Sequence, residues 1–449
     1  MPLATASLEH LLGAQHVRTD AETLQRFRVD GAAPSAVAEP ANAAELAEII
    51  RWARESKASL MPATSGLYLP LGNPPAALDI AVSLRRMSRI VHYDPGDLTL
   101  TVEAGLPLAE AQQRLAEHKQ FLPADPPHAD EAAVGGLIAS NASGPLRFAY
   151  GTWRDFVIGM KFVTGEGKEV KTGGRVVKNV AGYDLAKLMI GSLGTLAVIT
   201  EVSFKVFPQP PATAAFVFGF ESLDAAVEVA RRIVQSAWQP TLLELLSPQA
   251  GDLVSCQPLS PLHWSLVVGV AGVEPVLRRY QTDFGALARE LRAGQLDILR
   301  GHDEQFVLKA VRERIPRARA KNANTTVVKA ALPIAGVGPF LTKAQQTAAR
   351  YELPAAASAH AGSGIANLFL MPPGEMTDSA KRMAQAATEM VHAGNNLGGR
   401  VTVPWCPTDV KHDVNVWGPL RDEFTLMQKL KKQFDPDRVL NPGRFLGGL

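Results

Sequence analysis

Cysteine is almost absent from this chain of 449 residues. The two cysteines, Cys256 and Cys406, lie far apart and outside any CxxC or Cys/His spacing, so they cannot build a disulfide framework, an iron–sulfur cluster or a zinc site. An excess of one charge is also missing, because 46 basic side chains face 44 acidic ones, which implies no polyanionic partner such as a nucleic acid. Two-electron chemistry in this chain would therefore need an organic cofactor.

Long apolar runs are lacking as well. No uninterrupted stretch approaches the roughly 20 residues that cross a bilayer, and no basic segment followed by a small-residue cleavage site stands near the start. We therefore expect a cytoplasmic protein without a transmembrane segment. The length predicts two or three domains, and a hydrophobic share of 46% with a charged share of 20% is typical of a globular protein.

Glycine motifs are concentrated between Pro123 and Pro208. Short loops containing GG, SG and GT alternate there with apolar stretches that read as strands. Glycine loses more conformational entropy on folding than other residues, so a cluster is best explained by a ligand that lies directly on main-chain amides. A large, flat or phosphate-bearing molecule such as a dinucleotide fits this description.

The hydrophobic pattern divides the chain into α/β and α+β segments. Residues 43–56 form a helical pattern with Asn42 as N-cap and Glu45 in capping-box spacing, and 164–168 is predicted to be a hairpin turn. The prolines that follow at 208, 210 and 211 predict a domain boundary. Beyond them the pattern favours a mixed segment around a mostly antiparallel sheet, and a last helix is predicted over 420–434.

An ordered series of motifs resembles the vanillyl-alcohol-oxidase (PCMH) type of FAD-binding oxidoreductases, and within it the FAD-binding E subunits of bacterial glycolate oxidases. The series includes VEAG at 102–105, DPPH at 125–128, VGGLIASNASG at 134–144, YGTWRDFVIG at 150–159 and FDPDRVLNPGRF at 434–445. The resemblance implies an α+β fold with a split, two-subdomain FAD-binding domain, an inserted α+β cap domain and a C-terminal return segment. We place these parts at 1–210, 211–415 and 416–449.

The resemblance also implies which residues hold the flavin. The loop at 62–67 would wrap the diphosphate, although only Gly66 and later Gly72 supply the glycine usual in relatives. No histidine stands in this loop, so FAD is expected to bind without a covalent bond. The cofactor-binding residues predicted in this way are Pro62, Ala63, Thr64, Ser65, Gly66, Leu67, Gly105, Pro123, Asp125, Pro126, Gly135, Gly136, Ile138, Ala139, Ser140, Asn141, Gly144, Tyr150, Gly151, Arg154, Asp155, Ile199 and Asn441.

The catalytic residues are less clear from the sequence. Oxidation of a 2-hydroxy acid needs a base for the hydroxyl proton and a cation for the carboxylate, and Arg147 and Arg154 are candidate cations. Metal-dependent relatives carry a HAGDGNxH motif, but here HAGSGIAN at 360–367 keeps only its first histidine, so no metal site is expected. The remaining candidates for catalysis are His128, Tyr183 and His360, each with a structural role as the alternative. Lys178 and Asn179 precede Tyr183 in the same stretch and, like it, are polar groups expected next to the flavin ring.

Three functions fit these observations. The first is an FAD subunit of a glycolate-oxidase-like complex that acts on a small 2-hydroxy acid. Its partners would be a paralogous FAD subunit and an iron–sulfur subunit, which would place it in the cytoplasm or peripherally at the inner membrane. The second is a self-sufficient FAD-dependent dehydrogenase or oxidase of a 2-hydroxy acid or other alcohol. The third is a scaffold that has lost useful flavin binding, as the glycine-poor loop at 62–67 would allow.

Overall fold

The computed structural model describes residues 2–174, 183–374 and 378–449. These residues fold into helices and mainly antiparallel sheets, which confirms the predicted α+β class. The helices, in chain order, are α1 (Pro2–Leu12), α2 (Ala21–Arg26), α3 (Ala43–Ser56), α4 (Leu108–Ala116), α5 (Val134–Ala139), α6 (Arg147–Tyr150), α7 (Trp153–Phe156), α8 (Leu185–Met189), α9 (Leu223–Gln235), α10 (Pro248–Val254), α11 (Glu274–Glu290), α12 (Gly301–Arg312), α13 (Arg314–Lys321), α14 (Val337–Arg350), α15 (Ser379–Asn396), α16 (Thr408–Asp413) and α17 (Phe424–Phe434).

The strands of the described ranges pair into four sheets. In chain order the strands are β1 (Val17–Arg18), β2 (Ala36–Ala38), β3 (Leu60–Pro62), β4 (Ile80–Val82), β5 (Ile90–Asp94), β6 (Thr99–Glu103), β7 (Gln120–Phe121), β8 (Val157–Thr164), β9 (Glu169–Gly173), β10 (Ala197–Lys205), β11 (Phe207–Pro208), β12 (Ala212–Phe220), β13 (Leu242–Leu246), β14 (Trp264–Gly272), β15 (Gln295–Leu299), β16 (Thr326–Ala331), β17 (Ala355–His360), β18 (Ile365–Leu370) and β19 (Arg400–Trp405).

The first half of the chain builds three of these sheets. A small sheet has the order β1-β2-β4-β3, and in it β4 pairs in parallel with both β2 and β3. A second sheet has the order β5-β6-β10-β8-β9. Strands β7 and β11 form a short ribbon. The two larger sheets share one apolar core with α3, α4 and α5, so the elements before Pro208 pack as one body.

The second half forms one broad sheet in the order β15-β12-β14-β13-β17-β18-β16-β19, in which every pair is antiparallel. Helices α9, α11, α14 and α15 bury apolar residues in its core. The mostly antiparallel sheet predicted for this segment is confirmed. The predicted boundaries at 210 and 415 stay predictions.

The C-terminal segment returns to the first half of the molecule. The Leu60 N–H donates to the Val439 carbonyl at 2.7 Å, and the Asn441 N–H donates to the Leu60 carbonyl at 2.8 Å. These bonds extend the edge of β3 with the residues around Leu440. The last residues of the chain therefore stand next to the loop that follows β3.

Local signals explain several elements. The Asn42 side chain accepts a hydrogen bond from the Glu45 N–H at 2.9 Å, so α3 begins where predicted. The Glu45 carboxylate in turn accepts the Ala41 N–H and not the N–H of Asn42, which differs from a regular capping box. The hairpin of β8 and β9 turns at 164–168, also as predicted. Among the described residues, no helix combines the length and apolar character needed to cross a bilayer.

Candidate active site

A deep cleft lies between the loop after β3, helix α5, the start of β10 and the C-terminal return segment. It encloses about 830 Å³ including its open mouth, within the range of ligand sites. Among the residues that the structure describes, no aspartate or glutamate lines it. The predicted residues that it brings together are Pro62, Ala63, Thr64, Ser65, Gly66, Gly135, Gly136, Ala139, Ser140, Ile199 and Asn441.

The loop at 62–67 offers unused donors to this cleft. The Ala63 N–H donates to the Val82 carbonyl at 2.9 Å, and the Thr64 hydroxyl accepts the Leu84 N–H at 3.3 Å, so the base of the loop is fixed. The N–H groups of Ser65, Gly66 and Leu67 donate to no partner within the described part of the chain. Successive free N–H groups are suited to an anion such as a diphosphate.

Two adjacent glycines make helix α5 part of the wall. A Cβ at Gly135 would lie 2.8 Å from the Ala104 Cβ, so this glycine lets the helix pack against the end of β6. A Cβ at Gly136 would meet no protein atom within 4 Å. The space beside Gly136, which lines the cleft, is therefore room for a ligand rather than for packing.

The C-terminal segment forms the opposite wall. Asn441 has a φ of 46° and donates through its Nδ2 to the Leu193 carbonyl at 2.6 Å. A Cβ at Gly194, whose φ is 66°, would lie 3.3 Å from that Nδ2 atom. Glycine at 194 thus allows the side chain of Asn441 to join the return segment to the turn before β10.

Other predicted cofactor residues do not line this cleft. Some pack behind it: Ile138 is fully buried, and a Cβ at Gly105 would lie 2.0 Å from the Leu84 carbonyl oxygen. Others hold neighbouring turns, since the Asp155 carboxylate caps the Thr152 N–H at 2.7 Å and Arg154 donates to the Lys187 carbonyl at 2.7 Å. The remaining predicted residues outside the lining are Leu67, Pro123, Asp125, Pro126, Asn141, Gly144, Tyr150 and Gly151.

Asp125 fixes the turn that contains Gly144 and Leu146. Its carboxylate accepts the Leu146 N–H at 3.1 Å, and burial raises its pKa to about 8. A Cβ at Gly144 would lie only 1.7 Å from the Asp125 carbonyl oxygen, so glycine is required there. Pro123, Gly144 and Gly151 line a small hollow with Asp125, whereas Tyr150 packs edge-on against Phe121 and Phe207.

A second cavity adjoins the cleft and is called here the cationic pocket. It encloses about 750 Å³ and shares Tyr68, Leu71 and Ser140 with the cleft. Within residues 2–174, 183–374 and 378–449, no carboxylate lines it. Its polar and aromatic lining includes His128, Asn141, Arg312, Arg314, Arg319, Lys329, His360, Asn367 and Trp405.

Two of these cations lack a neutralising partner. Arg312 lies between Asp130 and Glu313, and Arg314 lies 3.1 Å from Glu244. By contrast, the Arg319 guanidinium stacks over the Trp405 ring at 4.7 Å, and the side chains of Arg319 and Lys329 form no ion pair or hydrogen bond within the described ranges. The pocket therefore has positive charge available for an anionic ligand.

His360 is committed to a buried chain of polar groups. Its Nδ1 atom is hydrogen-bonded to Glu244, and its Nε2 atom lies 2.9 Å from Nη2 of Arg314. Because the guanidinium can only donate, Nε2 accepts and the proton resides on Nδ1. Burial lowers the pKa of His360 to about 4, so the ring is neutral near pH 7 with both nitrogens occupied. Among the described residues, no group of three or more His, Cys, Asp or Glu side chains could hold a metal ion.

The buried His360 predicts a loss of stability in mild acid. Its pKa is lower in the folded chain, about 4 against the ordinary value of 6.5, so between these pH values the unfolded chain binds more protons. The free energy of unfolding should therefore fall as the pH drops from 6.5 to 4, by on the order of 3 kcal/mol from this residue. Urea unfolding of the wild type and of His360→Gln across this range measures the effect.

A matched control separates this effect from general acid sensitivity. His392→Gln removes a histidine outside the cationic pocket and shows how much of any change comes from losing a histidine at all. In His360→Gln, the slope of the free energy of unfolding against pH should fall by the amount that corresponds to about one bound proton. Equal slopes for all three proteins would contradict the assignment of the neutral ring.

The other catalytic candidates have different surroundings. His128 lines the cationic pocket with a φ of 59°; its N–H donates to Glu313 at 2.9 Å, and its ring packs edge-on against Tyr68. Burial lowers the pKa of His128. Tyr183 is 94% exposed and lines neither cavity. Lys178 and Asn179 lie outside the described residues.

Comparison with known proteins agrees with this architecture. Residues 34–173 match a family described as an FAD binding domain, and residues 209–403 and 419–445 match the C-terminal domain of FAD linked oxidases. Together these matches cover most of the chain. The solved structure of p-cresol methylhydroxylase superposes with a TM-score of 0.80 at 17% identity, covering 99% of this chain and 96% of that chain. The predicted PCMH-type fold is thus confirmed.

Two curated relatives are subunits of glycolate oxidases. Glycolate oxidase subunit GlcD of Bacillus subtilis is 27% identical over 416 residues, which is 92% of this chain and 88% of that protein. Glycolate oxidase subunit GlcE of Escherichia coli is 43% identical, but over 169 residues, 37% of this chain and 48% of that protein. The cleft, with free N–H groups and no carboxylate, fits a flavin dinucleotide. The chain therefore belongs to the PCMH-type family of FAD-binding oxidoreductases, and FAD is its cofactor.

Proposed function

We propose that this chain uses FAD to oxidise the CH–OH group of a small 2-hydroxy acid, with its own cationic pocket as the substrate site. The observation that carries this proposal is that the cleft and the pocket share walls and that the pocket is lined by basic side chains. Among the described residues, no acidic side chain lines the pocket. Guanidinium and ammonium groups are suited to a carboxylate. The glycolate oxidase subunits among the relatives support the same substrate class.

FAD would be held without a covalent bond in the cleft. The free N–H groups of Ser65, Gly66 and Leu67 would face the diphosphate, and the open space beside Gly136 would admit the ribityl chain or ring. Ile199, which lines the cleft next to an irregularity of β10, would offer a main-chain group to the ring. When bound, the flavin supplies the two-electron acceptor.

The residues of the pocket would bind and orient the acid. Arg314 is held from behind by the Val311 carbonyl at 2.9 Å and by Glu244, so its guanidinium has a fixed direction. Tyr68 donates its hydroxyl proton to the Pro127 carbonyl at 2.5 Å and presents its ring to Trp405. These aromatic rings form an apolar wall at the junction of the two cavities, which would keep water from the reacting carbon.

A second candidate is a flavin subunit of a glycolate-oxidase-type complex. The segment with 43% identity to the GlcE subunit favours it. A paralogous FAD subunit and an iron–sulfur subunit would then receive or deliver electrons, and they could hold the chain peripherally at the inner membrane. With cysteines only at 256 and 406, this chain cannot itself ligate a cysteine-bound iron–sulfur cluster.

An anaerobic absorbance experiment tests these functions. The chain is purified alone, its flavin spectrum is recorded, and glycolate or D-lactate is added. Bleaching of the flavin band is the expected result. A spectrum that stays oxidised until partner subunits are added would instead favour the complex subunit. A colourless protein that takes up no added FAD would support the scaffold and overturn both oxidoreductase functions.

A further inference from the structure

We propose that Lys329 is the base that takes the hydroxyl proton of the 2-hydroxy acid, an assignment that rests on the proposed function. Lys329 lies in β16, opposite Asn367 of β18 and Thr402 of β19. Its side chain lines the cationic pocket, which adjoins the flavin cleft. The residue therefore stands within the cavity where the substrate would be oxidised.

The surroundings of Lys329 differ from those of an ordinary structural lysine. A lysine in a protein interior is normally paired with a carboxylate, because an unpaired buried ammonium is costly. Within the described ranges, the Lys329 side chain has no such partner and donates no hydrogen bond, whereas its backbone pairs within the sheet. The nearby carboxylate of Glu244 is already engaged by His360 and Arg314. An unpaired amine in a ligand-sized cavity is free to act on a ligand.

The neighbouring charges favour the neutral amine. Burial comes first, and Arg147 of α6 and Arg314 of α13 add positive charge, which together lower the pKa of Lys329 to about 8. His360 at the end of β17, two strands away in the sheet, is neutral, and Asn367 of the adjacent strand β18 carries no charge. On the order of one molecule in ten would therefore hold an uncharged amine near pH 7, and a larger fraction above pH 8.

Other bases in the pocket are less suited to this role. His360 has both ring nitrogens hydrogen-bonded, and Tyr183 lies on the surface. Asp125 accepts the Leu146 N–H and does not line the cationic pocket. His128 does line the pocket, so it is the rival that an experiment must separate from Lys329.

The proton and electrons balance in the proposed step. The amine of Lys329 forms an N–H bond with the hydroxyl proton and becomes an ammonium, while the O–H bond of the substrate breaks. The oxygen lone pair forms the C=O bond as the C–H bond breaks. The electron pair of the C–H bond leaves with the hydrogen as a hydride equivalent, for which FAD is the oxidant. The product is a 2-oxo acid, and the new ammonium lies where the carboxylate and carbonyl of this product can be bound.

Two substitutions at Lys329 separate a base from a carboxylate ligand. Lys329→Arg keeps the positive charge but cannot lose a proton, and Lys329→Met removes the charge with a similar stem. Anaerobic stopped-flow flavin reduction is measured for both variants and the wild type between about pH 6 and pH 10. Both variants should lose about 10²- to 10⁴-fold in rate. The wild-type rate should rise through the pKa of Lys329, and this rise should vanish in both variants.

A binding measurement provides a readout apart from turnover. Oxalate, a non-oxidisable dianion, is titrated calorimetrically into the FAD-loaded proteins. Lys329→Arg should bind oxalate within about threefold of the wild type, because the charge is retained, although its flavin is hardly reduced. A variant that is reduced at the wild-type rate would overturn the base assignment and leave the proposed function intact.

Two further variants complete the design. Arg319→Met removes the other unpaired cation of the pocket and should weaken oxalate binding while preserving the pH profile of reduction. His128→Asn should also keep this profile; its loss there, with retention in the Lys329 variants, would assign the base to His128. Failure of every 2-hydroxy acid to reduce wild-type flavin, even with partner subunits, would overturn the proposed function and this assignment together.

Discussion

A Gly136→Leu variant should fold normally but lose its FAD. A Cβ at this position meets no protein atom within 4 Å, yet the residue lines the flavin cleft. A leucine side chain would therefore occupy ligand space without displacing the protein. Overlap of this kind costs about 1–3 kcal/mol or more, so flavin affinity should fall at least about fivefold. The ratio of flavin to protein absorbance in the purified variant measures this loss.

The folded state of the variant is checked separately. Leucine is about 1 kcal/mol more favourable than glycine within a helix, and Gly136 lies inside α5, so the apoprotein should be at least as stable as the wild-type apoprotein. Gly285→Leu is the matched control, since Gly285 lies in α11, where a Cβ also meets no atom within 4 Å. Full flavin content in Gly136→Leu would show that this glycine does not face the cofactor.

Local sequence signals predicted much of the fold. Asn42 marked the start of α3, and the glycine-containing turn at 164–168 marked the hairpin of β8 and β9. Element ends were less accurate where tertiary contacts decide them. The last helix begins at Phe424 rather than at 420; Arg421 lies before it, and its guanidinium donates to the Gly399 carbonyl at 2.9 Å.

The flavin cleft was more accessible to sequence reasoning than the cationic pocket. Gly135 and Gly136 stand in one short motif, so a local pattern indicated the close backbone approach at the cleft. Arg314, Arg319 and Lys329 lie on α13 and β16, and only the fold brings them beside Asn141 and Tyr68. The one available signal was a lysine within the apolar strand TVVKAA, where a charge needs a reason.

A buried charge network holds the wall between the two cavities. The Asp30 carboxylate lies 2.8 Å from Nζ of Lys411 and 3.4 Å from Nη1 of Arg444, and all three side chains are nearly inaccessible. Arg444 also donates to carbonyls of the segment 69–73. Asp30 thereby joins the N-terminal part of the chain, helix α16 and the C-terminal segment beside the flavin cleft.

An Asp30→Asn variant should therefore be strongly destabilised. Asparagine matches aspartate in shape and tolerates the positive φ of 48° at this position, so the change removes only the charge. It leaves Lys411 and Arg444 buried without their counter-ion, which costs about 3–5 kcal/mol. Urea unfolding at neutral pH measures the loss. FAD affinity should fall as well, because Arg444 and Leu71 line the cleft.

The pH dependence of this variant identifies the cause of its instability. Burial lowers the pKa of Lys411 and the Asp30 carboxylate opposes this, so removing the Asp30 charge lowers the pKa of Lys411 further in the folded variant. The unfolded chain of the variant then binds more protons than the folded one over a wider pH range than in the wild type, and its stability rises more with pH. The deficit of Asp30→Asn should therefore shrink as the pH rises toward the ordinary pKa of lysine. Asp437→Asn is the control, because its pair with Arg54 is partly exposed and should contribute less than about 1 kcal/mol. Equal losses in the two variants would contradict a special role for the buried network.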